Sequence, residues 1–490
     1  VDDWERAVKS HAGGMTPKSR SRGVEVLLRA LEDAGDFRRL ARVAQMARQV
    51  EGLEAVTRRW VLVAAGRAKL ETGEVASADE LLLAALKPAP ATGDDADADL
   101  ELIARAKLYR ADVRRKLAEA TTLASTTMKK LTRELTEKSR LVTEARTLYA
   151  DAVNSKRPRV AVEALAKVGD VLQLFAKQIL AAPIPKGLTG DQVREFKAAL
   201  EAKVLPIEEK AADAYKACLQ VVAAGAVYDR YAERCVLGHT QFVPGESRDV
   251  TEVMPELIVP GAPAEARREA LGRKIATAAK GENVAELFRA YAALALREKR
   301  PAEALAAARA GLLRARGAAK AGEPAADTGV GEALEYVAGL ARRELAEPHG
   351  AALHFRAGGE PGALGLGVMA LRAGDAVGAE AAFRQAGRRI EAVMGLAISR
   401  RVARRFDEAR ATYQEALTID PSSAVVLYNL GVLEQDFARR PNEALEIFKR
   451  LRTMTGGLPK EKTKEVEVRI QRLIEQKGRG RRDVVEVAAG

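Results

Sequence analysis

The chain has 490 residues, of which 47% are hydrophobic and only 4% aromatic, and its 80 Lys and Arg against 68 Asp and Glu give a net charge of +12. So few aromatic residues speak against β-sandwiches and barrels, whose strands favour aromatic and β-branched side chains. The many Ala, Leu, Arg and Glu residues favour helices, and no apolar run approaches the roughly 18 residues of a membrane-spanning helix. We therefore predict an all-α protein without a transmembrane segment.

Residues 1–98 are predicted to form helical hairpins. From Arg59 onward, small or apolar residues and a closing proline recur at spacings that fit two short antiparallel helices joined by a turn. These residues are Gly66, Gly73, Ala78, Leu82, Ala85 and Pro90. A more divergent hairpin with Gly35 in its turn is predicted before them.

Residues 99–237 lack this spacing. The stretch from Leu102 to Tyr149 has few helix breakers and apolar residues at helical intervals, which indicates long helices. We predict a bundle of long antiparallel helices inserted between two arrays of hairpins. Its charged face is interpreted as a solvated surface and includes Lys129, Lys130, Lys138, Ser139 and Arg140.

Two cysteines, Cys218 and Cys235, follow near the end of the predicted bundle. A turn near residues 223–225 would fold their helices antiparallel and could bring the thiols together. A disulfide needs Cα atoms roughly 4.4–6.8 Å apart, which helices permit only at close crossings. The alternative is two separate buried thiols, as in a reducing compartment. The even number of cysteines favours the disulfide, and both possibilities stay open here.

Residues 238–264 contain four prolines and short β-prone pieces near Val253 and Ile258. Proline interrupts helices, so this region is not predicted to be helical. It is predicted to be a linker or an extended segment laid across the helices.

The clearest repeats lie in residues 265–457. Counting Ile390 as the first position, a motif occupies positions 4, 7, 8, 20, 24, 27 and 32 with Val393, Leu396, Ala397, Ala409, Tyr413, Ala416 and Pro421. The next unit opens at Ala424, and residues 427–431 read Leu-Tyr-Asn-Leu-Gly. This pattern resembles the tetratricopeptide repeat, a helix–turn–helix unit of about 34 residues. Weaker units in the same phase start near Ala285, Glu332 and Glu360.

The resemblance implies a solenoid of stacked helical hairpins, closed over residues 458–490 by an amphipathic capping helix from Pro459 to Lys477 and a tail. The first helices of such hairpins line a concave groove, which captures an extended or helical segment of a partner protein. The positions expected to face it form a partner-binding set of Met394, Ile398, Arg401, Tyr428, Asn429, Val432 and Gln435. The side-chain amide of Asn429 can pair with the backbone of a ligand.

No catalytic, metal or cofactor site is predicted. The glycine-rich stretch 362–367 has neither the preceding strand nor the spacing of a nucleotide-binding loop. Cys235 and His239 lack the second pair of ligands that zinc needs. Positive and negative charges are interspersed along the chain, which disfavours nucleic-acid binding. The sequence therefore predicts a protein without enzymatic activity.

The organisation as a whole resembles tetratricopeptide proteins of myxobacterial cell-envelope and gliding-motility systems. That resemblance implies a periplasmic or outer-membrane-associated scaffold, whose partners are the other proteins of a multiprotein complex. Two alternatives stay open: a cytoplasmic adaptor with a regulatory or nucleic-acid-associated role, and an accessory subunit of an enzyme complex.

Overall fold

The computed structural model describes residues 16–88, 95–244, 248, 250–261, 267–278, 284–320, 328–454 and 456–489. Within these ranges the chain forms 21 α-helices and one π-helical turn, Leu433–Phe437, and no β-strand. The helices are α1 (Pro17–Asp33), α2 (Phe37–Ala47), α3 (Ala55–Glu71), α4 (Val75–Ala85), α5 (Asp95–Ala120), α6 (Met128–Val153), α7 (Pro158–Leu180), α8 (Gly190–Gly225), α9 (Arg230–Phe242), α10 (Arg268–Thr277), α11 (Ala285–Arg297), α12 (Pro301–Lys320), α13 (Thr328–Glu344), α14 (Pro348–Ala357), α15 (Gly359–Arg372), α16 (Ala376–Gln385), α17 (Ile390–Val402), α18 (Phe406–Ile419), α19 (Ala424–Val432), α20 (Pro441–Arg452) and α21 (Lys460–Ala489).

The N-terminal helices α1–α4 pack as two hairpins, α1–α2 and α3–α4. Gly35 adopts a φ of +67° between α1 and α2, and the Asp36 carboxylate accepts a hydrogen bond from the Arg39 amide at 3.0 Å, which caps α2. In the second hairpin a Cβ on Gly66 would lie 2.6 Å from the Leu82 side chain. Only glycine permits the helices to cross this closely.

The long helices continue this stack. One hydrophobic core runs from α3 to α7 and includes Leu70, Leu82, Leu108 and Tyr149. The expectation that Lys138 is solvated is wrong, because its side chain is buried. Its Nζ donates to the carbonyls of Ala118 and Thr121, both at 2.5 Å, and so satisfies acceptors at the C-terminal end of α5.

The chain divides into two compact units. The first comprises Val1–Val221 with Gln241–Val243, and the second comprises Val222–Thr240 with Pro244–Gly490. None of the described helices combines the length and apolar character needed to cross a membrane.

The second unit contains an array of five hairpins, α11–α12, α13–α14, α15–α16, α17–α18 and α19–α20. In the hairpins α13–α14, α15–α16 and α19–α20, the first helix crosses its partner closely where a glycine meets an aromatic ring. A Cβ on Gly367 would lie 2.7 Å from the Phe383 ring, and one on Gly431 would lie 2.6 Å from the Phe448 ring. The first contact joins positions 8 and 24 of the repeat, and the second joins positions 8 and 25 because the last unit has one extra residue in its turn. This array is therefore a tetratricopeptide-like solenoid.

Helix α21 caps the array. Its Val466, Ile470 and Leu473 join one core with residues of α19 and α20. The helix runs to Ala489, twelve residues past the end predicted at Lys477. It takes the place that the first helix of another hairpin would occupy, which closes the hydrophobic end of the solenoid.

Candidate binding groove

An extended segment of the chain itself lies along the first helices of the C-terminal array. This segment, residues 250–261, is called the strap below, and it contains neither helix nor strand. Its polar contacts go to α19, α17, α13 and α11, and every one of these is the first helix of a hairpin. The first residues of the strap contact α19 and α17, near the end of the array, and its last residues contact α11, at the start of the array. The strap therefore crosses the array in reverse chain order.

Asn429 on α19 binds the backbone of the strap. Its side chain is fully buried, with Oδ1 accepting from the Val253 amide at 2.8 Å and Nδ2 donating to the Val253 carbonyl at 2.9 Å. The two bonds satisfy both backbone polar groups of one residue, as a neighbouring β-strand would. The contact recognises extended backbone and does not depend on the side chain at position 253.

Arg401 on α17 binds a side chain of the strap. Its Nε donates to Glu252 Oε1 at 2.6 Å and its Nη2 donates to Oε2, forming a bidentate ion pair. The two side chains are 1% and 0% exposed, and the Arg401 guanidinium lies 4.5 Å from the centre of the Phe437 ring. A buried charge is tolerated when a well-placed opposite charge compensates it, so each of the two depends on the other.

Tyr413 on α18 lies beside this ion pair and is fully buried. Burial raises the pKa of Tyr413 well above its ordinary value, and the negative charge of Glu252 adds to the rise. Tyr413 therefore stays neutral and brings no second charge into the groove.

The polar contacts of the second half of the strap go to its backbone carbonyls. Tyr336 on α13 donates to the Ile258 carbonyl at 3.1 Å, and Arg297 and Arg289 on α11 donate to the carbonyls of Pro260 and Gly261 at 3.2 and 3.1 Å. Burial raises the pKa of Tyr336 to about 12, which keeps its hydroxyl a donor at neutral pH.

The structure places the seven predicted groove residues in three surroundings. Arg401 and Asn429 contact the strap directly, and Met394 and Ile398 are buried on the same helix as Arg401. Tyr428 and Val432 belong to the core shared by α19, α20 and α21. Gln435 accepts a hydrogen bond from Arg469 of α21 at 2.7 Å. None of the seven residues is exposed to solvent. Their role in binding a partner stays a prediction.

Four residues that make contacts between the strap and the array were not predicted from the sequence: Arg289, Arg297, Tyr336 and Glu252. A signal for two of them was present, because Arg289 and Tyr336 hold position 5 of the weaker units that start at Ala285 and Glu332. Met394 and Tyr428, two of the predicted groove residues, hold the same position in the units that start at Ile390 and Ala424. Nothing in the local sequence distinguishes Glu252 from a solvated glutamate.

The remaining candidate chemistry lies outside the groove. Both cysteines are fully buried and disulfide-bonded. His354 pairs through Nδ1 with Glu335 Oε2 at 2.6 Å. In the part of the chain that the structure describes, no group of three or more His, Cys, Asp or Glu residues is arranged to hold a metal ion.

Comparisons with known proteins give no family by sequence, because no family model and no curated protein matches the chain. Two similar solved structures are yeast Tom70 and the Cut9–Hcn1 hetero-tetramer of the APC/C. The match to Tom70 has a TM-score of 0.34 at 10% identity and covers 97% of this chain and 93% of the Tom70 chain. The second has a TM-score of 0.32 at 12% identity, with coverages of 94% and 98%. Likenesses this weak carry no argument, so the assignment as a tetratricopeptide-like solenoid is based on the hairpin packing described above.

Proposed function

We propose that this protein is a non-enzymatic interaction scaffold whose C-terminal array binds extended polypeptide segments. One observation carries the proposal: Asn429 pairs with both backbone polar groups of Val253, at 2.8 and 2.9 Å, inside the groove. Backbone pairing supplies affinity for an extended chain, and a side-chain contact such as that of Arg401 supplies specificity.

The stacking of the hairpins supports the same proposal. The donors and acceptors that meet the strap project from several first helices, and the packing of each hairpin against its neighbours holds these helices in place. A groove that is already ordered loses little conformational entropy when a segment binds. A binding role therefore suits these residues, and the proposal assigns no catalysis to the chain.

A peptide-binding measurement tests this proposal. The receptor is the full chain with Glu252→Ala and Val253→Pro, changes that weaken the strap but leave Arg401 and Asn429 intact. A fluorescent peptide of residues 248–261 should bind this receptor saturably, as followed by fluorescence anisotropy. Adding Asn429→Ala to the receptor should weaken the binding at least about fivefold, because two hydrogen bonds to the peptide backbone are lost. Absence of binding to a receptor that keeps its helical circular dichroism would contradict the proposal.

We also propose that the scaffold belongs to a multiprotein complex of a bacterial cell envelope, in the periplasm or at the outer membrane. The disulfide-bonded cysteines support an oxidising compartment, and the organisation resembles that of gliding-motility proteins. Thiol counting under denaturing, non-reducing conditions, on protein from its native host, should find no free thiol. Two free thiols would contradict this location and leave the groove proposal intact.

A further inference from the structure

We infer that the strap is a built-in competitor for the partner of the groove, and that this partner presents an extended segment in which a glutamate directly precedes a residue with a free backbone N–H. The inference depends on the proposed function, since it names what the groove selects and what keeps the groove closed. The strap itself supplies both features: the carboxylate of Glu252 and the backbone N–H of Val253.

The strap binds to the surface of the hairpins, as a separate peptide ligand would. It lies outside the ladder of helix–helix contacts, and the polar contacts of the part from Ile258 to Gly261 are all made by its carbonyl oxygens. Of its side chains, Val253 packs against the core of α19–α21, whereas Ile258 is 61% exposed. A segment bound in this way can leave without opening the core of any hairpin.

Arg401 makes an acidic side chain a requirement. The guanidinium is buried between Phe437 and the strap, so an occupant without a carboxylate would leave its charge uncompensated in a dry site. Asn429 fixes the register by holding the next residue of the occupant. At that register an aspartate is one methylene too short to reach Arg401 in the same way, and proline cannot follow the glutamate because it has no N–H.

Because the strap is covalently connected to the array, it binds the groove in preference to a free segment that makes the same contacts. A tethered segment acts at an effective concentration in the millimolar range when the connection is short. A partner segment must therefore bind better than the strap, or arrive when the strap has been released. This makes strap release the step that controls access to the groove.

The test measures binding of a fluorescent peptide of residues 248–261 to three forms of the full chain. The forms are the unaltered chain, Glu252→Ala, which removes the strap's own carboxylate, and Glu256→Ala, which removes an exposed carboxylate of the same strap. We expect the Glu252→Ala chain to bind at least about tenfold more tightly than the other two, because it lacks the tethered competitor. Val253→Pro opens the strap in a second way and should give the same result.

Peptide variants test the selectivity on the opened chain. A peptide with Glu252→Gln should bind at least about tenfold more weakly than the parent peptide, because it leaves Arg401 without an opposite charge. A peptide with Glu256→Gln should bind like the parent. Equal binding of the Glu252→Gln and parent peptides would overturn the selection of glutamate.

The outcomes separate the inference from the proposed function. Equal affinity of the unaltered chain and both opened chains would overturn the competitor role and leave the groove as a peptide-binding site. No binding to either opened chain, with helical content and melting temperature retained, would overturn the proposed function itself.

Discussion

The most deeply buried ion pairs of the two units join different kinds of element. In the N-terminal unit, Asp112 on α5 accepts from Tyr149 Oη on α6 at 2.6 Å and from Lys167 Nζ on α7 at 2.7 Å. Arg59 on α3 likewise pairs with Asp99 on α5 at 2.5 Å. In the C-terminal unit, Arg401 on α17 pairs with a carboxylate of the strap. The first two pairs join packed helices, and the third joins a helix to a segment outside the helix stack.

The location of each ion pair determines what must move before the pair can break. A pair between packed helices breaks only when the helices separate, so it contributes to the cooperative stability of the fold. A pair between a helix and the strap breaks when the strap leaves, and water then solvates both charges. The same chemistry is thus structural between packed helices and suited to reversible docking at the strap.

The largest effect should come from Asp112→Ala. It leaves the Lys167 ammonium and the Tyr149 hydroxyl without their carboxylate partner, which should lower the free energy of unfolding by roughly 3–5 kcal/mol. Chemical denaturation followed by circular dichroism measures this loss. Asp97 lies on the same helix and pairs with Arg157, but its side chain is 82% exposed, so Asp97→Ala should cost less than about 1 kcal/mol. Equal losses for the two variants would contradict the structural role of the Asp112 cluster.

The same carboxylate should give the unfolding a pH dependence. Burial acts to raise the pKa of Asp112, but the charges of Lys167 and Arg115 outweigh it and hold the pKa below its ordinary value of 3.8. A lowered pKa in the folded state contributes stability above pH 3.8, and this contribution is lost as the pH falls through the lowered value. Urea unfolding should therefore show a gap between the unaltered chain and Asp112→Asn at pH 7 that narrows below about pH 4. A gap that widens on acidification would show the opposite sign.

A smaller and local effect is expected for Glu252→Ala. The strap should detach and let water reach Arg401, so the cost is limited to the free energy of strap docking, about 2 kcal/mol or less. Hydrogen–deuterium exchange should rise in residues 250–261 and stay unchanged in the helices of the array. Glu256→Ala, on the exposed side of the same strap, is the matched control and should leave the exchange as it was. Faster exchange throughout α11–α20 would mean that the strap is part of the fold.

Asn429→Ala should weaken the strap through its backbone. The change removes two hydrogen bonds to Val253, and the expected loss is roughly 1–2 kcal/mol of docking free energy. Asn429→Asp keeps the acceptor for the Val253 amide but cannot donate to its carbonyl, so it should also release the strap. Exchange of the Val253 region measures both variants, and protection equal to that of the unaltered chain would show that Asn429 does not hold the strap.

The smallest effect concerns the hairpin turns, which also differ between the units. The N-terminal turns use Gly35 and Gly73 at φ of +67° and +90°, whereas Arg404 in the C-terminal array adopts +62° with a side chain that disfavours this region. Arg404→Gly should therefore stabilise the second unit by up to about 1 kcal/mol, partly offset by the greater freedom of glycine in the unfolded chain. Gly73→Ala should destabilise the first unit by a similar amount. Thermal melts measure both, and a lower melting temperature for Arg404→Gly would contradict the strain.

The hairpins of the C-terminal array could be predicted because the residues that pack them are close in sequence. Gly367 and Phe383 meet within one hairpin. The same spacing separates Gly339 and Phe355, and it is one residue longer between Gly431 and Phe448. Helix content, turn positions and the order of the hairpins follow from such local patterns. The burial of Lys138 could not be predicted in this way, since its partners Ala118 and Thr121 lie on the preceding helix and loop.

By itself, the sequence determined an all-α solenoid of helical hairpins and identified the first helices as the lining of a groove. Only the tertiary structure decided that the chain's own strap occupies that groove. Glu252 and Arg401 are 149 residues apart, and Val253 and Asn429 are 176 apart, so no local pattern connects them. The backbone pairing of Asn429 uses groups that every residue except proline carries, and such a contact leaves no mark on the side chains that a sequence displays.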